Sequence, residues 1–124
     1  MFDAFVRILE FDLIGLWTRE DIKGFCVEYE QRVGAIYEDG PFATLVDMSE
    51  YPAQADFTNT GHQSNMNFAI ERGLVCSAYI VSSALTDLQM KRLTAEVDSE
   101  RFAHFQNRDD AIAWIKKTLD PAAS

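Results

Sequence analysis

The sequence predicts one α/β domain, a mixed five-stranded sheet packed by four helices. Three observations carry this. Four times a Ser/Thr/Asn-type residue stands three positions before Asp, Glu or Gln: at Thr18-Arg19-Glu20-Asp21, Thr60-Gly61-His62-Gln63, Thr86-Asp87-Leu88-Gln89 and Asn107-Arg108-Asp109-Asp110. Such spacing lets a side-chain oxygen take a free backbone N–H while the third residue reaches back, which is how helices begin. Apolar, β-type runs precede or separate these starts, and strands joined by helical crossovers must lie parallel with right-handed connections. The chain, 124 residues long, fits a single domain and is long enough to bury one real core.

The elements follow in order. Phe5-Val6-Arg7-Ile8-Leu9 and Leu13-Ile14-Gly15-Leu16-Trp17, separated by Glu10-Phe11-Asp12, read as a β-hairpin or two consecutive strands. Thr18 caps a long helix whose apolar residues Ile22, Phe25, Cys26, Tyr29, Val33, Ile36 and Tyr37 recur every three or four positions. Asp39-Gly40-Pro41 stops it. Phe42 to Met48, apolar on both faces as far as Asp47, suits a covered central strand. Ser49 to Asn59 reads as a loop, and a second helix runs from about Gly61 to Arg72, closed by Gly73. Leu74 to Ser82 is a third central strand, Thr86 opens a third helix, and Arg101 to Phe105 is a short last strand. Asn107 opens the final helix, with Ala111, Ile112, Ile115 and Leu119 facing the core, and residues 120–124 read as a frayed tail.

Composition narrows the function classes. A formal net charge of −9 disfavours nucleic-acid phosphates and anionic lipid surfaces. The N-terminus has no basic region before an apolar stretch, and no run is long enough to span a bilayer, so the reading is a cytoplasmic protein without a transmembrane segment. Cys26 and Cys76 form no CxxC and read as reduced, buried thiols. No glycine-rich phosphate loop, dinucleotide fingerprint or GxSxG is present, so no cofactor is expected. His62, His104, Cys26 and Cys76 lack metal-ligand spacing. The paired acids Glu20-Asp21 and Asp109-Asp110 sit in first helical turns, where they complement the dipole. No catalytic residue is assigned, and the expectation is a protein that is not an enzyme.

The order of elements, together with the strand end Asp47-Met48-Ser49, the strand Ala78-Tyr79-Ile80-Val81-Ser82-Ser83 and the closing helix Asp110-Ala111-Ile112-Ala113-Trp114-Ile115, resembles the STAS domain, the sulfate transporter and anti-sigma-factor antagonist family. The likeness is to its small stand-alone bacterial members and spans nearly the whole chain. It implies a binding or regulatory domain. Partner-switching members carry Asp-Ser-Ser-Gly at the start of the second helix, and the serine before the glycine accepts phosphate. Here the stretch is Thr58-Asn59-Thr60-Gly61, so the resemblance places Thr60 at the phosphoacceptor and Thr58 in place of the aspartate.

Residues beyond the carboxyl ends of parallel strands are where ligands and partners gather. That rule selects Asp47, Ser49 and Tyr51 after one strand and Ser82 and Ser83 after another. Tyr51, Phe57, Thr58 and Thr60 read as exposed, and Thr60 serves as a helix cap or as a phosphate acceptor at a helix N-terminus. Two functions follow. One is a regulatory domain binding a protein partner through the loop after the Asp47 strand and the start of the second helix. The other is a small carrier or sensor of an apolar or anionic small-molecule ligand at the same edge. An apolar patch would also allow a homodimer.

Overall fold

A computed structural model describes residues 7–119. Its elements are β1 (Ile8–Ile14), α1 (Arg19–Ile36), a 3-10 turn (Tyr37–Asp39), β2 (Phe42–Glu50), α2 (Asp56–Glu71), β3 (Leu74–Val81), α3 (Ala84–Ala95), β4 (Phe102–Phe105) and α4 (Arg108–Leu119). The four strands form one sheet in the order β1-β2-β3-β4, and every neighbouring pair is parallel.

The mixed, five-stranded expectation is therefore corrected to four parallel strands among the described residues. Phe5 and Val6 lie outside those residues. The two apolar pieces read as a hairpin are one strand in part: Ile8 stands opposite Ala43 and Asp12 opposite Asp47. Glu10 and Asp12, taken for a turn, are the exposed positions of a period-two alternation in which Phe11 and Leu13 are buried. Since α1 lies between β1 and β2, the pair is parallel.

The core has two layers, one on each face of the sheet. Tyr29 and Val33 of α1, Met66 and Ala69 of α2, and Met90 and Leu93 of α3 pack with Phe11, Val46 and Tyr79 on one face. Ala111, Ile115 and Leu119 of α4 pack with Ala43, Leu45, Cys76, Ala78 and Ile80 on the other. Cys26 and Cys76 are free thiols. No helix among the described residues is long and apolar enough to cross a membrane.

Two of the four cap positions stand. Thr18 forms a full capping box: its Oγ1 accepts from Asp21 N at 3.2 Å, and Asp21 Oδ2 accepts from Thr18 N at 2.8 Å. Asn107 Oδ1 accepts from Asp110 N at 2.9 Å at the start of α4. Thr18→Ala removes the cap oxygen and should lower stability by about 1 kcal/mol; thermal unfolding checks this, and an unchanged midpoint would show that the box carries no weight.

The other two starts are corrected. α3 begins at Ala84 with Ser83 as cap, so Thr86 is already helical, and its Oγ1 donates instead to the Tyr51 carbonyl at 2.8 Å. α2 begins at Asp56 after Ala55, five residues before the expected Gly61, and the expected loop ends correspondingly early. Gly61 serves a different purpose from starting a helix. A Cβ there would collide with Ile22 Cγ1 and lie 2.9 Å from Ile22 Cδ1 and 3.4 Å from Cys26 Sγ, so its absence lets α2 lie close on α1. In an exposed helix, alanine would improve on glycine by about 1 kcal/mol. Here Gly61→Ala should destabilise by about 1–2 kcal/mol, because the overpacking outweighs the propensity gain. Denaturant unfolding measures it, and an Ile22→Val background should recover part of the loss; a more stable Gly61→Ala protein would contradict the close approach. Gly73, with φ +101°, follows the last turn of α2, where a side chain would be strained.

Candidate functional site

In an all-parallel sheet the carboxyl ends of the strands share one edge, so residues 15–18, 51–55, 82–83 and 106–107 emerge together. The polar residues expected there are engaged locally. Asp47 Oδ1 accepts from Ser49 N at 2.9 Å and Ser49 Oγ at 2.7 Å, which shapes the end of β2. Ser82 Oγ donates to the Ser49 carbonyl at 2.6 Å, tying β3 to β2. Ser83 Oγ accepts from Thr86 N at 3.4 Å as the α3 cap.

The loop after β2 is stapled by a residue the sequence reading did not select. Gln54 is buried; its Oε1 accepts from Trp17 N at 2.9 Å, and its Nε2 donates to the carbonyls of Gly15 at 3.0 Å and Pro52 at 2.8 Å. Its backbone N–H donates to Gln89 Oε1 at 2.7 Å, and its carbonyl accepts from Gln89 Nε2 at 2.9 Å. One glutamine thus joins the β1 exit, the β2 loop and α3. Nothing in the spacing of Gln54 and Gln89, 35 positions apart, marks them in sequence.

Three of the four residues read as exposed are not. Tyr51 is buried beneath Trp17, ring centroids 5.2 Å apart, with its hydroxyl 2.8 Å from His62 Nε2. Thr58 is 0% exposed, on the inner face of α2. Phe57 is half-buried, with the Arg19 guanidinium 4.4 Å over its ring. Thr60 is exposed but lies in the second turn of α2, past the free N–H groups of the helix start. It neither caps the helix nor holds the anion-binding position expected of it. His62, expected in a first turn, also lies deeper; burial, not the dipole, pushes its imidazole down to about 4, so it is neutral near pH 7.

Two open grooves flank this edge. One, of about 390 Å³ between α2 and α3, is lined by Ala53, Asp56, Thr60, Leu85, Leu88 and Arg92, among others. Leu85 is 63% and Leu88 48% exposed there. The larger, of about 700 Å³, runs along α3 and β4 past Ser82, Ser83, Asp87, Lys91 and His104. In it Asp87 Oδ1 lies 2.8 Å from His104 Nδ1, and Lys91 Nζ lies 2.9 Å from Asp87 Oδ2. Burial alone would raise the Asp87 carboxyl, but the Lys91 ammonium and the hydrogen bonds from Lys91 and His104 outweigh it and hold the group below the usual carboxylate range. Burial lowers His104, and Asp87 only partly offsets this. A neutral His104 that donates through Nδ1 keeps a lone pair on Nε2. That is a proton acceptor without an attached nucleophile: among the described residues no serine hydroxyl bonds to it, Ser82 and Ser83 being engaged as above. The pair is 17 positions apart and forms only because α3 packs beside β4. No cluster of His, Cys, Asp and Glu among the described residues could hold a metal ion.

Comparison of the chain with protein-family models, curated proteins and solved structures finds no match.

Proposed function

We propose that this protein is a STAS-like regulatory domain that binds a protein partner at the carboxyl edge of its sheet, with the α2–α3 groove as the docking surface. The observation that carries this reading is the pair of exposed leucines, Leu85 and Leu88, on a groove whose wall includes the loop after β2. Large side chains left in water beside a concavity are what a docking face requires. Leu16, 72% exposed on the segment that Gln54 staples, belongs to a separate depression beside α1 and not to this groove. Gln54 and Gln89 keep that loop in one conformation, so little ordering is lost on association. Asp56 and Glu96 line the groove with a single cation, Arg92, on a chain of net charge −9. The fitting partner is a segment with apolar side chains flanked by Lys or Arg. The exposed Thr60 hydroxyl lines the same groove, so a phosphate there would strengthen its negative charge and alter that pairing.

The test replaces the apolar side chains of the surface with charged ones. Leu85→Asp with Leu88→Asp should leave the unfolding midpoint nearly unchanged, within about 0.5 kcal/mol for exposed positions. The partner identified by capture with the wild-type chain, and shown to bind in purified form, should lose at least tenfold in affinity. Val27→Asp, an exposed apolar position on α1, should bind as wild type. Undiminished binding by the double variant would overturn the reading.

A further inference from the structure

We propose that the open edge of β4, with the groove between β4 and α3, takes an extended peptide of a partner protein as an added strand, with Ser or Thr opposite His104. β4 is the last strand of the sheet and is paired on one side only, by β3. The Arg101 carbonyl accepts from Ser77 N at 2.8 Å, and Phe102 stands opposite Ser77. In a parallel ladder the N–H and C=O of one residue point the same way, and successive residues alternate. Arg101, Ala103 and Phe105 therefore face β3, and the backbone groups of Phe102 and His104 face outward. Among the described residues no other backbone segment pairs with them. A row of such groups is a template for another strand. The opposite edge of the sheet is defended. On β1 the Arg32 guanidinium donates to the outward Glu10 carbonyl at 2.8 Å, Glu10 and Asp12 carry exposed carboxylates, and the register shifts between Asp12 and Ile14. β4 keeps an unbroken register and holds neither Lys nor Pro.

The groove beside this edge sets what the added strand must carry. α3 packs mainly against β3 and α2, which leaves about 700 Å³ open along all four residues of β4, past Asp87, Lys91 and Thr94 of α3. Four residues of strand run about 13 Å, the reach of a short extended peptide. Its backbone would bond the edge groups, and alternate side chains would enter the groove. His104 lies on the α3 side of β4, against Tyr79 with ring centroids 5.7 Å apart. A residue paired opposite it projects its side chain onto the same face. In the groove Asp87 and Lys91 balance each other at 2.9 Å, so a charged side chain would find no free counter-ion there. Among the described residues the one hydrogen bond of the His104 ring is between Nδ1 and Asp87, which leaves Nε2 as an unused acceptor. A neutral hydroxyl donor matches it, and Ser and Thr supply one. This groove shares no lining residue with the α2–α3 groove and is a second surface, independent of it.

The probe is a phage-displayed library of short random peptides, selected on the full chain. Selected peptides should share Ser or Thr at one position. Added to the ¹⁵N-labelled chain, they should shift the Phe102 and His104 amide signals and slow their exchange with solvent. Replacing the shared Ser by Ala, or Thr by Val, should lower affinity at least tenfold for wild type and less than twofold for His104→Leu. N-methylating alternate peptide residues, whose N–H groups pair with β4, should cost at least tenfold; N-methylating the residues between them should cost far less. The peptide variants are read on the wild-type chain, so the test stands even if His104→Leu fails to fold. Any of four results would overturn the proposal: no peptide selected; selected peptides that leave the Phe102 and His104 amides unchanged; no alternation in the N-methyl series; or no loss when the hydroxyl is removed. Slowed exchange of those two amides with rising protein concentration alone would also overturn it, by assigning the edge to a second copy of the chain. The Leu85→Asp, Leu88→Asp protein should bind the selected peptides as wild type does, so failure of the α2–α3 surface and failure of this edge are separate outcomes.

Discussion

Ile115→Ala will lower stability by about 3 kcal/mol, within the usual 2–5 kcal/mol for deleting a fully buried isoleucine side chain beyond Cβ. Ile115 is completely buried at the middle of α4, against Ala43, Leu45, Cys76, Ala78 and Ile80. Among the described residues α4 is the one helix on that face, so no second helix can move in to fill the void. The small residues Ala43 and Ala78 bring α4 close to the strands. The void then lies against backbone that is held by ladder hydrogen bonds and relaxes little. For a domain of this size the melting temperature should fall by roughly 10–15 °C. Ile115→Val should cost about 1 kcal/mol. Denaturant unfolding of the pair measures both; a loss under 1 kcal/mol for the alanine would mean that α4 does not seal this face.

Stability will fall by about 3 kcal/mol between pH 6.5 and pH 4 through His62 alone. The imidazole is buried among Trp17, Phe25 and Tyr51, and burial lowers it from an ordinary 6.5 to about 4. In this window the unfolded chain binds a proton at His62 and the folded chain does not, so acid favours unfolding. Above pH 6.5 both states are neutral and the effect vanishes; below pH 4 both are protonated and the loss is complete. His62→Gln, which can still bond the Tyr51 hydroxyl, should show a correspondingly smaller dependence on pH over that range. Unfolding free energies measured from pH 4 to 7 decide it: equal slopes for wild type and variant would show that His62 does not titrate out of a buried neutral state.

The elements legible in the sequence were those whose signals are local. The Thr18 and Asn107 caps are correct because a cap bonds residues two or three positions away. β2 and β3 were placed by continuous apolar runs, and the stripe Tyr29, Val33 of α1 by its period. The misreadings arose where one local pattern had two meanings. Glu10-Phe11-Asp12 looks like a turn between apolar pieces, yet an edge strand with one open face carries acids at alternate positions. Thr60-Gly61 looks like a helix start, yet Gly61 is a contact point for α1. Thr86 has the spacing of a cap, yet its hydroxyl belongs to the Tyr51 carbonyl.

By itself the sequence determined the α/β class, the four helices, the strand-and-crossover order of the later elements and the acidic character of the surface. Periodicity, propensity and charge are properties of short windows, and they survive whatever the rest of the chain does. Only the tertiary structure decided which candidate residues are available. It took Tyr51, Thr58 and Asn65 into the interior, left Thr60, Leu85 and Leu88 on one groove, and joined Asp87 to His104. Those outcomes depend on contacts between positions 11 to 39 residues apart, such as Tyr51 with His62 and Gln54 with Gly15. Such contacts exist only once α1, α2 and α3 have packed on one face of the sheet, and no pattern within a single helix or strand encodes them.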